Sequence, residues 1–499
     1  MDSFPVPSID FQAIAPMVAV ILTGLLALTA DLIWYKKSTS SVRAISLIGL
    51  LVSGALVIQQ WYRPDEDVLA RMVTVDRFGL AIQFILIVSC FLCLLFSDGY
   101  LKEKRIAFRE FYPLALWSTA GGMLMATSKN LLVIFLGLEV LSIALYVMAG
   151  MSRSEHKSEE SALKYFLLGS FASGFLLYGI AFVYGATGGL NLDEIASAWS
   201  ANNLAAKNML LFGLGLLLVG LGFKSAFVPF HQWTPDVYQG APTNVTAFMA
   251  AVSKIAAIAA LYRVLHGMLP LRDLWIPALT VIAILTMTVG NLVALTQKDV
   301  KRILGYSSIA HAGYLLVGLL AHFSNPGQIG VTTVLYYLLA YSLMTIGTLA
   351  IVSMVAKEGR EETTVASFNG LWKQSPLAAG VLIIFMASMI GIPITAGFVG
   401  KFQIFVDSIN ANLGLLAIAL AINSVISIAY YLGIAKAAFV SDEETPRVAK
   451  MNTGLSTTVA ICAAGVLLIG VLFAPISQWL GNDLNETPVM AMNAGQATK

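Results

Sequence analysis

Charge is scarce in this chain. Lys, Arg, Asp and Glu make up 12% of its 499 residues, against 58% hydrophobic residues. A soluble domain carries about 25% charged residues, so an ordinary globular protein in water is excluded. Cysteine is nearly absent, and Cys90, Cys93 and Cys462 all fall inside apolar runs. Cys90 and Cys93 form a C-x-x-C without a second pair or a suitably spaced His. An iron–sulfur cluster or a zinc site needs about four ligands, so no metal or cofactor is expected in this chain. No basic tail or face stands out, which argues against nucleic acid as a partner. The first apolar run, Ala13 to Trp34, lacks a basic leader and a small-residue cleavage site. It is expected to be a permanent helix rather than a signal peptide.

What the chain has is long apolar runs. At about 20 residues per membrane crossing they predict an all-α polytopic membrane protein of about fourteen helices. Expected limits are 13–34, 43–62, 77–97, 112–128, 131–151, 161–186, 208–230, 241–265, 274–295, 302–321, 329–356, 375–409, 413–440 and 453–475. The loops check this count, because Lys and Arg collect on the cytoplasmic side. Lys36, Lys37 and Arg43 follow the first run, and Lys102, Lys104, Arg105 and Arg109 the third. Arg153 and Lys157 follow the fifth, and Lys298, Lys301 and Arg302 the ninth. Lys357, Arg360 and Lys373 follow the eleventh, and Arg447 and Lys450 the thirteenth. The intervening loops are poor in Lys and Arg, apart from RPDEDVLARMVTVDR, where acids dilute them. Odd-numbered helices therefore end inside, and both termini are expected outside.

Four charges stand where a bilayer should not tolerate them. Glu139 lies in LLVIFLGLEVLSIALYVMAGM, Lys224 in MLLFGLGLLLVGLGFKSAFVPF and Lys254 in NVTAFMAAVSKIAAIAALY. Lys401 follows the Gly-Pro break of MASMIGIPITAGFVGKFQIF. Such a charge costs at least ~2.5–3.5 kcal/mol, so it usually faces a protein interior or a wet cavity and serves transport. One carboxylate and three lysines predict a proton relay. Lysine suits the task because burial pushes it toward neutrality and a nearby carboxylate pushes it back toward charge. Arginine would keep its proton.

A weak internal repeat runs through the chain. ATSKNLLVIFLGLEVLSIALYVMAG resembles ALTQKDVKRILGYSSIAHAGYLLVG, and GLGFKSAFVPF resembles TAGFVGKFQIF. The chain is thus expected to divide into a three-helix segment at 1–111, repeats at 112–267 and 268–440, and a C-terminal helix and tail at 441–499. Five helices per copy would invert the second relative to the first, a common transporter plan. A helix break is expected near each lysine, from Pro229 after Lys224 and from Gly391 and Pro393 before Lys401.

The stretch GFKSAFVPFHQWTPDVYQGAPTNVTAFMAAVSKIAA, residues 222–257, closely resembles the antiporter-like subunits of proton-pumping NADH:quinone oxidoreductase, respiratory complex I. The similarity runs over essentially the whole chain. Within the family the loop and the following VSK look most like the N-type subunits, called 2 in mitochondria and B in chloroplasts. M-type subunits tend to carry Glu where Lys401 stands, and L-type subunits carry a long lateral helix. The resemblance implies fourteen core helices with inverted repeats and a place in the bacterial inner membrane. In a photosynthetic homologue the place would be the thylakoid and the donor ferredoxin. It implies partners among the other complex I membrane subunits, especially flanking antiporter-like ones, and the lipid bilayer. Flavin, iron–sulfur clusters, NADH and quinone would then belong to or between those partners. The alternatives are a cation/proton antiporter subunit and a non-transporting subunit that only anchors neighbours.

Each charged residue also has a plainer reading. Lys224 and Lys254 could snorkel to a helix end, and Lys401 could be a structural counter-charge. Glu139 could be paired only for structure, with a partner on another helix. Lys164 opens the sixth run after Glu159 and Glu160; it is either a relay member, as the family implies, or a snorkelling lysine. His311 is either a relay near the cytoplasmic side or a hydrogen-bonded core histidine. Lys436 reads as a snorkelling anchor. His231 and Asp236 could form a proton entrance, but a rigid turn fits the HQWTPDVYQGAPT loop better.

Overall fold

The computed structural model describes residues 10–33, 39–104, 106, 108–200, 203–357, 360–440, 447–448 and 451–477. Lys36, Lys37, Arg105, Lys450 and the tail from 478 onward, all invoked above, lie outside the described residues. The chain is helical almost throughout, and twelve helices among the described residues are long and apolar enough to cross a membrane.

In chain order the α-helices, long and short, are α1 (Ala15–Ile33), α2 (Thr39–Gln60), α3 (Arg77–Glu103), α4 (Phe111–Thr127), α5 (Leu131–Ala149), α6 (His156–Thr187), α7 (Leu192–Ser200), α8 (Leu204–Ser225), α9 (Trp233–Gly240), α10 (Thr243–Phe248) and α11 (Lys254–Gly267). There follow α12 (Arg272–Ala294), α13 (Val300–Ser324), α14 (Thr332–Val352), α15 (Leu371–Gln374), α16 (Pro376–Ile390), α17 (Ala396–Asn410), α18 (Gly414–Ala437) and α19 (Thr453–Val471). The fourth expected crossing is the 17-residue α4, and the twelfth is split between α16 and α17. With those two the expected fourteen crossings are all accounted for.

Helix starts are written locally. Asn130 accepts from the amides of Leu132 and Val133 at the start of α5, and Asp299 accepts from Arg302 N at the start of α13. A side-chain cap of this kind is worth about 0.5–2 kcal/mol. These two helices are the ones the repeat pairs with each other. Each packs against the helix before it, α4 on α5 and α12 on α13. The approach is close: a Cβ on Gly121 would lie 2.6 Å from Gly137 O, and one on Gly290 would lie 2.7 Å from Ala310 N.

Burial sorts the helices. Residues of α10, α11, α13 and α14 are enclosed almost throughout, whereas α1, α2 and α6 turn leucines such as Leu26, Leu51 and Leu163 outward. An apolar outer face with a polar inner one is the reverse of a soluble bundle and suits hydrocarbon solvent.

The structure corrects several boundaries. The run expected at 208–230 ends at Ser225, where Ala226 turns left-handed at φ 64°, and α9 is a separate short helix. The run expected at 375–409 breaks at Gly391, whose φ of 94° favours glycine. The run at 241–265 contains a π-helical turn, Met249–Ser253, immediately before Lys254. Two small sheets add to the all-α plan. β1 (Glu66–Val68) pairs with β2 (Val73–Val75), and β3 (Val355–Lys357) lies between β4 (Arg360–Glu361) and β5 (Arg447–Val448).

Candidate functional site

The three intramembrane lysines are buried: Lys224, Lys254 and Lys401 are 4%, 3% and 4% exposed. Snorkelling requires a wet head group, so that reading fails for Lys224 and Lys254. An ammonium offers three donors and taking it out of water costs several kcal/mol, so its partners define its environment.

Lys224 stands one residue before the end of α8 and donates to Ser142 Oγ at 2.7 Å and Tyr165 OH at 3.0 Å. Ser142 lies on α5, one turn beyond Glu139. Glu139 itself is half-buried and accepts from the Ser173 hydroxyl of α6, rather than from a lysine. A cavity of about 10 Å³ is lined by Ser142, Tyr146, Ser173 and Lys224 among others. That volume matches about one water position, and these polar groups suit it. Glu139 and Lys224 thus meet through hydroxyls on both sides of one small cavity. The plain structural ion pair is not what the geometry shows.

Lys254 opens α11 and donates to the Ser308 carbonyl of α13 at 2.5 Å. A π turn, Met249–Ser253, immediately precedes it, a feature often found at functional sites. Tyr165 links the first lysine toward the second: its ring stacks on Trp233 at 4.6 Å, and Trp233 meets Tyr238 edge-on at 6.3 Å. Tyr238 OH lies 3.3 Å from Ser308 Oγ.

Beyond Lys254 the aromatic chain continues. Lys254 Nζ lies 5.7 Å from the Tyr341 ring, and that ring lies 5.0 Å from His311. His311 is 5.5 Å from the Tyr314 ring, over which Lys401 Nζ sits at 5.1 Å. His311 therefore lies near the middle of α13, between Lys254 and Lys401. Both its ring nitrogens are engaged, Nδ1 with Tyr337 OH at 2.7 Å and Nε2 with Tyr431 OH at 3.1 Å.

Lys401 lies on α17 and donates back across the helix break to Met389 O at 2.6 Å and Ile390 O at 3.1 Å, and also to Ser424 Oγ of α18 at 3.4 Å. The break at Gly391 frees those carbonyls, which membrane proteins tolerate only where something satisfies them.

Other expected residues fall elsewhere. Lys164 is 42% exposed and pairs with Glu160 at 2.7 Å and Asp236 at 2.9 Å. Asp236 also pairs with Arg302 at 2.6 Å, and these groups line an open polar pocket of about 220 Å³. Lys164 is thus outside the buried row; the next residue, Tyr165, is the one inside it. His231 is not among the groups lining that pocket. Lys436 is exposed at the end of α18, as an anchor should be.

Two buried ion pairs clamp the ends of the central helices. Arg263 of α11 holds Asp76 with both nitrogens, at 2.5 and 2.6 Å, and donates to Ala126 O at 2.7 Å. Burial pushes the Asp76 carboxyl up, but the Arg263 charge and hydrogen bonds, the Gly79 amide and Lys129 together outweigh it and hold the carboxyl below its usual range. Lys301 of α13, 1% exposed, donates to Glu361 at 3.1 Å and to Ala241 O. Burial pushes Glu361 up, and Lys301, Tyr100 and Lys104 more than offset it, leaving that carboxyl below its usual range. The sequence reading missed these clamps and the tyrosines. The spacing held one signal, since Ser142 and Ser308 each stand three residues from a charged or titratable neighbour, on the same helix face.

Among the described residues no group of three or more His, Cys, Asp or Glu could hold a metal ion. The family model described as NADH:quinone oxidoreductase/Mrp antiporter matches residues 128–427. The NADH-quinone oxidoreductase subunit N of Trichlorobacter lovleyi is 40% identical over 475 residues, 95% of this chain and 96% of that protein. Subunit N 1 of Herpetosiphon aurantiacus is 39% identical over 477 residues, 94% and 96% of the two. Among solved structures, respiratory complex I of Thermus thermophilus with bound aureothin contains a chain 33% identical at TM-score 0.78, covering 92% of this chain and 97% of that one. The Mrp complex of a Dietzia species matches at TM-score 0.84 but 19% identity, over 97% and 99%, which speaks for the fold alone. The chain belongs to the NADH:quinone oxidoreductase/Mrp antiporter family and, within it, to the subunit N branch.

Proposed function

We propose that this chain is the N-type proton-translocating membrane subunit of an NADH:quinone oxidoreductase. Electrons pass from NADH to quinone in partner subunits, where flavin, clusters and quinone reside, and this chain moves protons in response. The observation that carries the reading is the buried row Lys224–Lys254–His311–Lys401, joined by tyrosine and serine groups and flanked by Glu139. Moving the Glu139 charge nearer or farther changes how tightly Lys224 holds its proton. A proton released there passes by hops between groups in hydrogen-bond or single-water reach. The open pocket at Lys164, Asp236 and Arg302 suits a cytoplasmic mouth.

Repeats at 112–267 and 268–440 are supported by a helix end one residue after Lys224 and a helix break before Lys401. The basic loops support a topology with both termini outside, in the bacterial inner membrane. Other membrane subunits of the complex are the expected partners. A half-buried Glu139, flanked by exposed Leu136, Val140 and Ile143, supports a neighbour or lipid on that face. An independent cation/proton antiporter is the second reading, favoured by the fold shared with the Mrp complex.

Replacing Lys224 by Ala in the assembled complex tests the proposal. NADH-driven proton transport into vesicles should fall at least about ten-fold, the scale of losing a positioned acid–base group. The complex should still assemble, since removing a buried charge need not destabilise a bundle. Unchanged transport by the assembled variant contradicts the proposal. Proton transport without NADH and quinone favours the antiporter reading.

A further inference from the structure

Among the described residues three buried carboxylates, Asp31, Asp98 and Asp407, lie outside the row described above, and basic side chains hold the first two: Arg109 for Asp31, and Arg43 with Lys102 for Asp98. Asp407 lies on α17, six residues beyond Lys401, and is 8% exposed. A carboxylate at that depth is costly and marks a functional position by default. The buried face of α17 comprises Gly400, Lys401, Ile404, Asp407 and Ser408, so both charged residues belong to one stripe turned into the protein. Six residues of helix rise amount to ~9 Å along the axis. α17 ends at Asn410, one turn past Asp407.

Its surroundings are polar without being ionic. Gln403 Nε2 donates to Asp407 Oδ1 at 3.1 Å, and the Thr333 hydroxyl at the start of α14 faces the same carboxylate. No acid, Lys, Arg or His occurs in α14, α16 or α19, three of the helices packed on α17. On α18 the only such residue is Lys436, at the far end of that helix. On α13 His322 is the titratable group nearest this end, and its ring is bonded to Ile329 O at 2.7 Å. Asn325 Nδ2 donates to Asn410 O at 3.3 Å and fixes this end of α17 to α13. Among the described residues Asp407 thus has hydrogen-bonding neighbours but no fixed countercharge, which a merely structural buried carboxylate would need.

We infer that Asp407 takes the proton that Lys401 releases and passes it toward the outer face. The inference rests on the function proposed above and on its topology, which puts the α17 C-terminus outside. In the step an N–H bond of the Lys401 ammonium breaks and an O–H bond forms on the Asp407 carboxylate. A charged pair becomes a neutral one. The Met389 and Ile390 carbonyls hold the neutral amine less tightly than the ammonium, so the flexible lysine stem is freer once the proton has left. A water bridges what the stem does not span. The carboxylic acid then loses its proton to outside water, less than two helical turns from the end of α17.

The test uses the assembled complex in sealed vesicles, reading NADH oxidation and proton transport together. Asp407→Asn should lower proton transport at least about ten-fold, on the scale of a lost proton acceptor. Wild-type transport should slow as the compartment facing the α17 C-terminus is acidified, and Asp407→Asn should lose that dependence. Asp407→Glu should restore transport with a shifted profile. Wild-type transport and wild-type pH dependence in Asp407→Asn overturn the inference. If Asp407→Asn does not assemble, Asp407→Glu decides it: a shifted profile supports the inference and an unmoved one overturns it. Lys401→Ala separates the two levels. Loss of transport in Lys401→Ala with full transport in Asp407→Asn sinks only the role of Asp407, whereas full transport in both sinks the relay itself.

Discussion

The two halves of the chain solve the same problem with different groups. In the first half Lys224 rests on side-chain hydroxyls, Ser142 and Tyr165, and the Glu139 carboxylate is held by Ser173, which lines the same small cavity. In the second half Lys401 rests on backbone carbonyls, Met389 and Ile390, exposed by a break in its own crossing. Hydroxyls can donate as well as accept, so Lys224 keeps partners when it loses its proton. Carbonyls only accept, so they favour the charged lysine and hold Lys401 less once it is neutral. The first half is therefore suited to being switched by a moving carboxylate, and the second to releasing a proton onward. Lys254 and His311 lie where the halves meet.

Substitutions can break this comparison in order of severity. Lys254→Met keeps the volume but removes the group joining both halves. Proton transport should then fall as far as in Lys224→Ala, at least about ten-fold, although Lys224 and Lys401 are intact. A vesicle assay with a pH-gradient dye reads this, and transport near the wild-type level would mean that the halves work separately. Gly391→Ala acts on the second half only. A Cβ there would lie 3.5 Å from Lys401 Cδ, on a residue held at φ 94°. The strain is worth ~1–3 kcal/mol. Reduced transport with a normal amount of assembled complex is expected, and the loss should be smaller than for Lys254→Met. Ser173→Ala touches only the first half, removing the donor to Glu139. A hydrogen bond to a charged group is worth ~1.5–3 kcal/mol, part of which water restores. Transport should fall several-fold, less than for Gly391→Ala, and the same assay ranks the two.

How much of this could be read from the sequence differs between the halves too. The break before Lys401 was legible because Gly391 and Pro393 punctuate an apolar run. The break after Lys224 was legible only as a region: Pro229 suggested it, but the chain leaves the helix at Ala226, a residue with no such signature. The π turn before Lys254 leaves no mark in MAAVS, since it depends on how α10 and α11 seat against α3 and α14. The charged residues were legible because burying them is costly wherever they are. Their partners were not. Tyr165, Ser308 and Tyr337 look like ordinary core residues, and the contacts of Arg263 with Asp76 and of Lys301 with Glu361 join residues 187 and 60 positions apart. Such pairings are set by helix packing, which period and hydropathy do not specify. His311 shows the limit well: its burial was foreseeable, its place between two lysines was not.

The central claim is that buried lysines here work by giving up and regaining a proton, not by standing as fixed charges. Lys224→Arg tests it most directly, because arginine keeps the charge and some of the hydrogen bonds but does not release its proton. The measurement is the number of protons moved per NADH oxidised by the assembled variant complex in sealed vesicles. The relay predicts a ratio clearly below that of the wild type with assembly preserved. A wild-type ratio in Lys224→Arg would make Lys224 a structural counter-charge and would contradict the account.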